Sequence, residues 1–296
     1  MKRKPIWVIL IGCCAPVLLC LLVGMGLWLR LYFRPQPKAT TQELFQGITY
    51  QRKVQQNPRQ MVIHIITIDL QADGIQFLVT PGDVKAELPL DARTTAKFLD
   101  EFNMQIAVNG DGFQPWHSTT LFDYYPHSGD PVTPIGLAAS RGEVYSSPTV
   151  AEPVLYIART NQARFNTPIG KVYNAISGNQ LLVWQGKALP TAEDIPQPRT
   201  AIALDKAGKR LLIFVVDGRQ INYSEGATLV EMAKIILENG GYSAMNVDGG
   251  GSSTLVRQGK VGMPVLINAP INHQIPGWQR PVGNHLGVFA RPVNDK

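Results

Sequence analysis

The chain has 296 residues, 45% of them hydrophobic and 17% charged, with a net charge of +6. Such a length admits one large domain or two small ones, and such a composition excludes wholesale disorder. Part of the basic excess flanks an N-terminal apolar segment and no basic patch with interleaved aromatics appears, which sets nucleic-acid binding aside.

Cys13, Cys14 and Cys20 are the three cysteines, so the rest of the chain holds neither a disulfide framework nor a thiolate metal site. After the basic residues Lys2, Arg3 and Lys4, residues 6–29 form a run of 24 without a charge, long enough to cross a bilayer as a helix. Leu10-Ile11-Gly12-Cys13 resembles a lipoprotein cleavage box, but the apolar run before it is short and continues past it. The preferred reading is an uncleaved anchor in the lipid bilayer over residues 1–29, with its span at 6–29. Arg30, Arg34 and Lys38 follow the span, so positive charge flanks both ends and orients it weakly; the tighter N-terminal cluster favours an extracytoplasmic domain. Residues 30–45, with Pro35 and Pro37, read as a tether, and 46–293 as the folded domain.

Within that domain, residues 61–70 are apolar and β-branched, a strand; Ala72-Asp73-Gly74 is a turn, and 75–80 is expected to pair back. Asp91 is placed as the cap of a helix through 94–102. Residues 106–108 form a short strand entering Asn109-Gly110-Asp111-Gly112-Phe113, a hairpin-like turn on its face. The stretch 114–134 is long for a loop in a compact domain and carries Trp116, His117, Tyr124, Tyr125 and His127; a solvated loop and a sugar-stacking binding loop are both open readings. Hairpins are expected over 136–147 and 154–165, and another over 172–176 and 180–184 with Ser177-Gly178-Asn179 as its turn. Residues 199–204 and 211–216 form a further hairpin whose second strand, nearly all apolar, is central and buried. It ends in Asp217-Gly218-Arg219, either an active-site pair or a structural ion pair. Thr228 and Glu231 make a capping box for a helix to 238, closed by Gly240 and Gly241. A short strand, 244–247, then runs into Asp248-Gly249-Gly250-Gly251-Ser252-Ser253-Thr254, and 284–289 is the last strand. The expected fold is α+β, with mixed and mainly antiparallel sheets, a few helices and one N-terminal transmembrane helix.

Three successive glycines weaken a strand and make sense where backbone approaches something closely, or where its N–H groups form an anion-binding nest; a plain turn is the alternative. No Gly-Lys-Ser/Thr follows and no G-x-G-x-x-G spacing is present, which excludes a Walker loop and a dinucleotide fingerprint.

Arg199-Thr200-Ala201, Asp217-Gly218-Arg219, Ser224-x-Gly226, the helix, and Asn246-x-Asp248-Gly249-Gly250-Gly251-Ser252-Ser253-Thr254 occur in the order that resembles the phosphodiester glycosidase family. Asn109-Gly110-x-Gly112-Phe113 and Pro281-x-x-Asn284-x-x-Gly287-Val288-Phe289 also fit, so the resemblance spans residues 109–289. Asp111 departs from the pattern, where a small residue is expected. The resemblance implies hydrolysis between an anomeric carbon and a phosphate oxygen in a phosphate-linked sugar or polysaccharide, and an association with exopolysaccharide. Under it, Asp248 and then Asp217 are the catalytic carboxylates. Arg199 and Arg219 clamp the phosphate, with the Gly249, Gly250 and Gly251 backbone as a nest. Asn109, Gly110, Asn246, Ser252 and Ser253 position the sugar. Asp111, Asp217 and Asp248 are the candidates for a hard oxygen site for calcium or magnesium, which no spacing demands. A non-catalytic glycan-binding or exopolysaccharide assembly protein on the same fold, and a transferase using the same residues, are the competing readings.

Overall fold

A computed structural model describes residues 6–147, 152–192 and 195–293. Its first element, helix α1 (Ile6–Tyr32), contains the expected span. The side chains of residues 6–16 and 31–32 lie outside the description, and among the described residues no helix is long and apolar enough to cross a membrane.

The folded part is built on an eight-stranded sheet. At its centre, Arg210–Val216 pairs with Met61–Asp69 on one side and Arg199–Leu204 on the other, and Ser243–Asn246 follows next to Arg199–Leu204. The ladders among the described residues run antiparallel, for example Ile213 opposite both Ile66 and Ile202. Period-two alternation splits these strands between two apolar layers. Met61, Ile63, Ile65, Leu212, Phe214 and Val216 face helix α3 (Leu229–Glu238), meeting Met232, Ala233 and Ile236. Ile66, Ile68, Leu211, Ile213 and Val215 face the other way, onto Ile106, Val108, Leu155, Ile176 and Leu286 of two five-stranded sheets. Beyond those, α2 (Thr95–Glu101) buries Phe98 and Leu99 against Leu78, Met104 and Val256.

Both helix starts follow local chemistry. At α3, Thr228 Oγ1 accepts the N–H of Glu231 at 3.2 Å and Glu231 Oε2 accepts the N–H of Thr228 at 2.8 Å, the expected capping box. Helix α2 is capped by Thr94, not Asp91: the Thr94 hydroxyl accepts the N–H of Lys97 at 3.2 Å.

Two expected pairings fail, for the same reason. Gln76–Val79 does not fold back on Met61–Asp69 but pairs with His285–Phe289 in a different sheet. Asn174–Ser177 and Gln180–Trp184 do not form a hairpin: the first pairs with Val154–Ile157 and the second with Ser243–Asn246. In each case the short turn carries the chain from one sheet to another. The stretch 30–45 also holds more structure than a tether, because Thr40–Phe45 is the edge strand of the large sheet. Upstream of it, the Arg34 guanidinium sits 4.1 Å from the centre of the Tyr223 ring and Gln36 Nε2 donates to Tyr223 O at 2.7 Å.

Candidate active site

The site forms where the ends of two strands from different sheets meet. Ile106–Asn109 leads into Gly110-Asp111, and Ser243–Asn246 leads into Val247-Asp248. The Asp248 N–H donates to Gly110 O at 3.0 Å, and the Gly110 N–H donates to Asn284 O at 2.8 Å. Asn109 completes the seam: Nδ2 donates to Asp248 O at 2.7 Å, and Oδ1 accepts the Thr254 N–H at 3.1 Å and the Thr200 hydroxyl at 3.0 Å.

Asp248 opens onto a pocket of about 200 Å³ whose other walls are Gly112, Phe113, Trp116, Ile135 and Arg280. Its Oδ1 accepts the Gly249 N–H at 2.8 Å. Burial raises its pKa, while a hydrogen bond from Ser252, the charge of Arg280 and the Gly249 N–H pull the other way. The guanidinium of Arg280 donates from Nη1 to Ser252 Oγ at 3.2 Å and from Nε to Asn272 Oδ1 at 3.1 Å, and stacks 5.2 Å from the Trp116 ring centre.

The glycine run is explained by these cations. Gly250 has a φ of +61°, and a Cβ there would lie 3.1 Å from Arg219 Nη2. A Cβ on Gly251 would lie 2.5 Å from Arg280 Nη2. Two guanidinium groups therefore lie against the backbone of this run, as close approach requires. Burial lowers the pKa of both arginines, and each is held in place, Arg219 by Gln197 Oε1 at 2.7 Å.

Next to Trp116, aromatic side chains from residues 114–134 meet those of the 270–280 loop. Tyr124 lies 4.3 Å from His127 and 4.7 Å from His273, ring centre to ring centre, and His273 lies 5.7 Å from Trp278. Burial and the neighbouring Arg280 lower the pKa of His273, which favours its neutral form.

Other expected site residues occupy different positions. Asp217 is buried away from the pocket lining, and both its oxygens are engaged. Oδ1 accepts from Asn268 Nδ2 at 3.1 Å and the Ala269 N–H at 2.9 Å; Oδ2 accepts from Tyr223 at 3.3 Å and lies 3.0 Å from His64 Nε2. His64 Nδ1 in turn lies 2.9 Å from the Tyr50 hydroxyl. Asp217 therefore pairs with His64 and not with Arg219. The acceptor sites of the carboxylate expected to be catalytic are thus taken up by protein groups. Arg199 donates to the backbone at Ala227 O at 3.1 Å and Ile195 O at 3.3 Å. Asn109 and Ser253 are stitches within the loop, Ser253 Oγ lying 3.1 Å from Thr200 Oγ1. Asn246 faces the other side of its strand, where Nδ2 donates to Asn179 Oδ1 at 3.0 Å. Asp111, Asp217 and Asp248 do not assemble into a cation site. Among the described residues no group of three or more His, Cys, Asp or Glu side chains could hold a metal ion.

Arg280, Trp116 and His64 are the functional and supporting groups that sequence reasoning passed over or left unassigned. His64 is the one ring nitrogen donor inside an otherwise apolar β-branched strand, and Arg280 immediately precedes the Pro281 element; those were the available signals.

The chain matches the phosphodiester glycosidase family over residues 102–289. It belongs to the phosphodiester glycosidase family. Among solved structures it is similar to a hypothetical protein from Synechocystis, with a TM-score of 0.63 and 15% identity over 86% of this chain; it spans 64% of that protein's length. It is also similar to the catalytic domain of zebrafish N-acetylglucosamine-1-phosphodiester alpha-N-acetylglucosaminidase, solved auto-inhibited by its pro-peptide. There the TM-score is 0.58 and the identity 20%, covering 88% of this chain and 86% of that one. At such identities the likeness concerns the fold. No curated protein matches the chain. The expected exopolysaccharide association has no counterpart in the names of these similar proteins.

Proposed function

We propose that this phosphodiester glycosidase family member is a membrane-anchored hydrolase that cleaves the bond between the anomeric carbon and phosphate of a sugar-1-phosphodiester. The observation that carries the reading is Asp248, a carboxylate lining a small pocket beside Arg280, with Arg219 close by against the same glycine run. A pocket of about 200 Å³ walled by Trp116, Phe113 and Ile135 suits one sugar ring. Arg280 and Arg219 take the phosphate oxygens, since their planar forks bind such groups bidentately and the partial burial of Arg280 strengthens its interaction. The Gly250 and Gly251 backbone is close enough to share that anion.

In this reading Asp248 takes a proton from water as the water oxygen bonds to the anomeric carbon. The carbon–oxygen bond to phosphate breaks, and the phosphate departs with the electron pair. That leaving group is already a stable anion, so a second carboxyl acting as acid is not needed and arginine charge suffices. Asp217 supports the site from behind: its shell holds Asn268, which donates to Ser253 O at 3.0 Å and to Asp217, and whose Oδ1 accepts the Leu255 N–H at 2.8 Å. The uncharged run 6–29 supports anchoring in the bilayer, and the tight cluster of Lys2, Arg3 and Lys4 favours a domain on the extracytoplasmic side.

The test is release of free sugar from a panel of sugar-1-phosphodiesters, with and without chelator. Asp248→Asn is expected to lower turnover by roughly 10²- to 10⁴-fold, the range for a positioned proton acceptor. Unchanged turnover sinks the assignment of Asp248. Saturable binding without release moves the protein to the glycan-binding reading.

A further inference from the structure

Asp111 is 2% exposed and does not line the pocket, yet it joins two of the pocket's walls. Its Oδ1 accepts the Gly112 N–H at 2.7 Å, and its Oδ2 accepts the Gly136 N–H at 2.8 Å. Gly112 lines the pocket, as does Ile135, the residue before Gly136. The Ile135 N–H donates to Gly112 O at 2.9 Å, so carboxylate and backbone close a ring between the two segments. There is little slack in this ring. A Cβ on Gly112 would lie 2.8 Å from Ile135 Cδ1, and one on Gly136 would lie 2.3 Å from Ser177 Cβ and 2.4 Å from Glu152 Oε2.

Building on the hydrolase reading, we propose that Asp111 is a positioning residue: its charged carboxylate holds the Gly112 and Ile135 walls at the spacing that receives the sugar, and its neutral form releases one of them.

The chemistry follows from acceptor count. A carboxylate offers both oxygens to the two amides; a neutral carboxyl keeps one good acceptor and turns the other oxygen into a donor. The two carboxylates that face Asp111 favour its neutral form, and a tyrosine lies beside them. Asp248 comes from the glycine run, Glu152 from the segment before strand Val154–Ile157, and Tyr145 from strand Glu143–Ser146. None of these is a cation. Burial together with the two carboxylates pushes Asp111 up to about 7, against the pull of the two amides. Burial also raises Glu152 and Tyr145, and Glu152 Oε2 and the Tyr145 hydroxyl are buried without a hydrogen-bond partner. The two wall amides thus depend on a group whose charge changes near neutral pH.

The experiment follows the backbone amide resonances of Gly112, Gly136 and Gly249 in the full chain across neutral pH, alongside calorimetric affinity for glucose 1-phosphate. The Gly112 and Gly136 amides are expected to move together with a midpoint near 7. Affinity for glucose 1-phosphate is expected to fall several-fold on the acid side of that midpoint. Gly249, which donates to Asp248 at 2.8 Å, reports Asp248 separately. In Asp111→Asn both wall amides lose their titration, and affinity stays at the acid-side level at every pH. The ligand's own ionisation is common to both proteins and cancels. The proposal is overturned by wall amides that do not titrate, by titration without a change in affinity, by wild-type affinity in Asp111→Asn at alkaline pH, or by no binding at any pH. If Asp111→Asn does not fold, the wild-type titration decides alone. Failure of the hydrolase reading is distinguishable: diesters release no sugar, while glucose 1-phosphate affinity still tracks the Gly112 and Gly136 amides.

Discussion

Asp217 and Asp248 look alike in the sequence, each an aspartate at the end of an apolar strand and followed by glycine. Their surroundings separate them. Asp248 faces a pocket with Arg280, whereas Asp217 is buried among four hydrogen-bond donors that include His64 and Tyr223. Replacing Asp217 by Asn leaves donors facing a donor, so Asp217→Asn is expected to destabilise the fold by about 1–3 kcal/mol, read from denaturant unfolding. A loss of turnover with wild-type stability would return Asp217 to the chemistry. Asp111 makes a different stability prediction. Its folded pKa of about 7 lies above the ordinary value of 3.8, so the folded state holds the proton more tightly than the unfolded state. Its contribution therefore favours folding below about 3.8 and is lost progressively as pH rises to about 7. Across that window wild-type stability should fall relative to Asp111→Asn by a few kcal/mol, roughly 4 at most. Parallel curves for the two proteins would show that the carboxyl is not perturbed.

At the scale of elements, helix α3 and the hairpin of Arg199–Leu204 with Arg210–Val216 form where local pattern and tertiary burial agree. The loop over 114–134 is different, because most of its rings meet one another and the 270–280 loop, with Trp116 half exposed at 51%. Such a segment shapes the pocket more than it holds the fold. Trp116→Ala removes a pocket wall and a cation–π contact worth about 0.5–1 kcal/mol at an exposed site. The expected outcome is a KM for the sugar-1-phosphodiester raised several-fold with an unchanged Tm. A fall in Tm with unchanged KM would make the ring a structural support.

For the whole molecule, the decisive feature is the path from helix α1 into the domain. Arg34 and Gln36 are held on Tyr223, which also donates to Asp217, so the segment after α1 docks on the side of the domain that supports the site. If residues 6–29 span a bilayer, the full chain should resist alkaline extraction from membranes. Leu18→Arg, near the middle of that run, should weaken insertion by about 2.5–3.5 kcal/mol and shift the protein to the extractable fraction. Equal extraction of both proteins would remove the anchor.

The sequence by itself determined the family, through motifs ordered from Asn109 to Phe289, and the local elements whose signals are short-range: the capping box at Thr228, the buried strand before Asp217, the glycine run after Asp248. These are legible because hydrogen bonds and apolar alternation act over a few residues. Only the tertiary structure decided which of those residues share a pocket. Arg280 reaches Asp248 from 32 residues away in a proline-rich loop, and His64 meets Asp217 across 153 residues. It also decided that Gln76–Val79 and Gln180–Trp184 leave their nearest neighbours for other sheets. Strand partners and site partners are chosen by burial and charge pairing between distant segments, and no single-chain spacing records that choice.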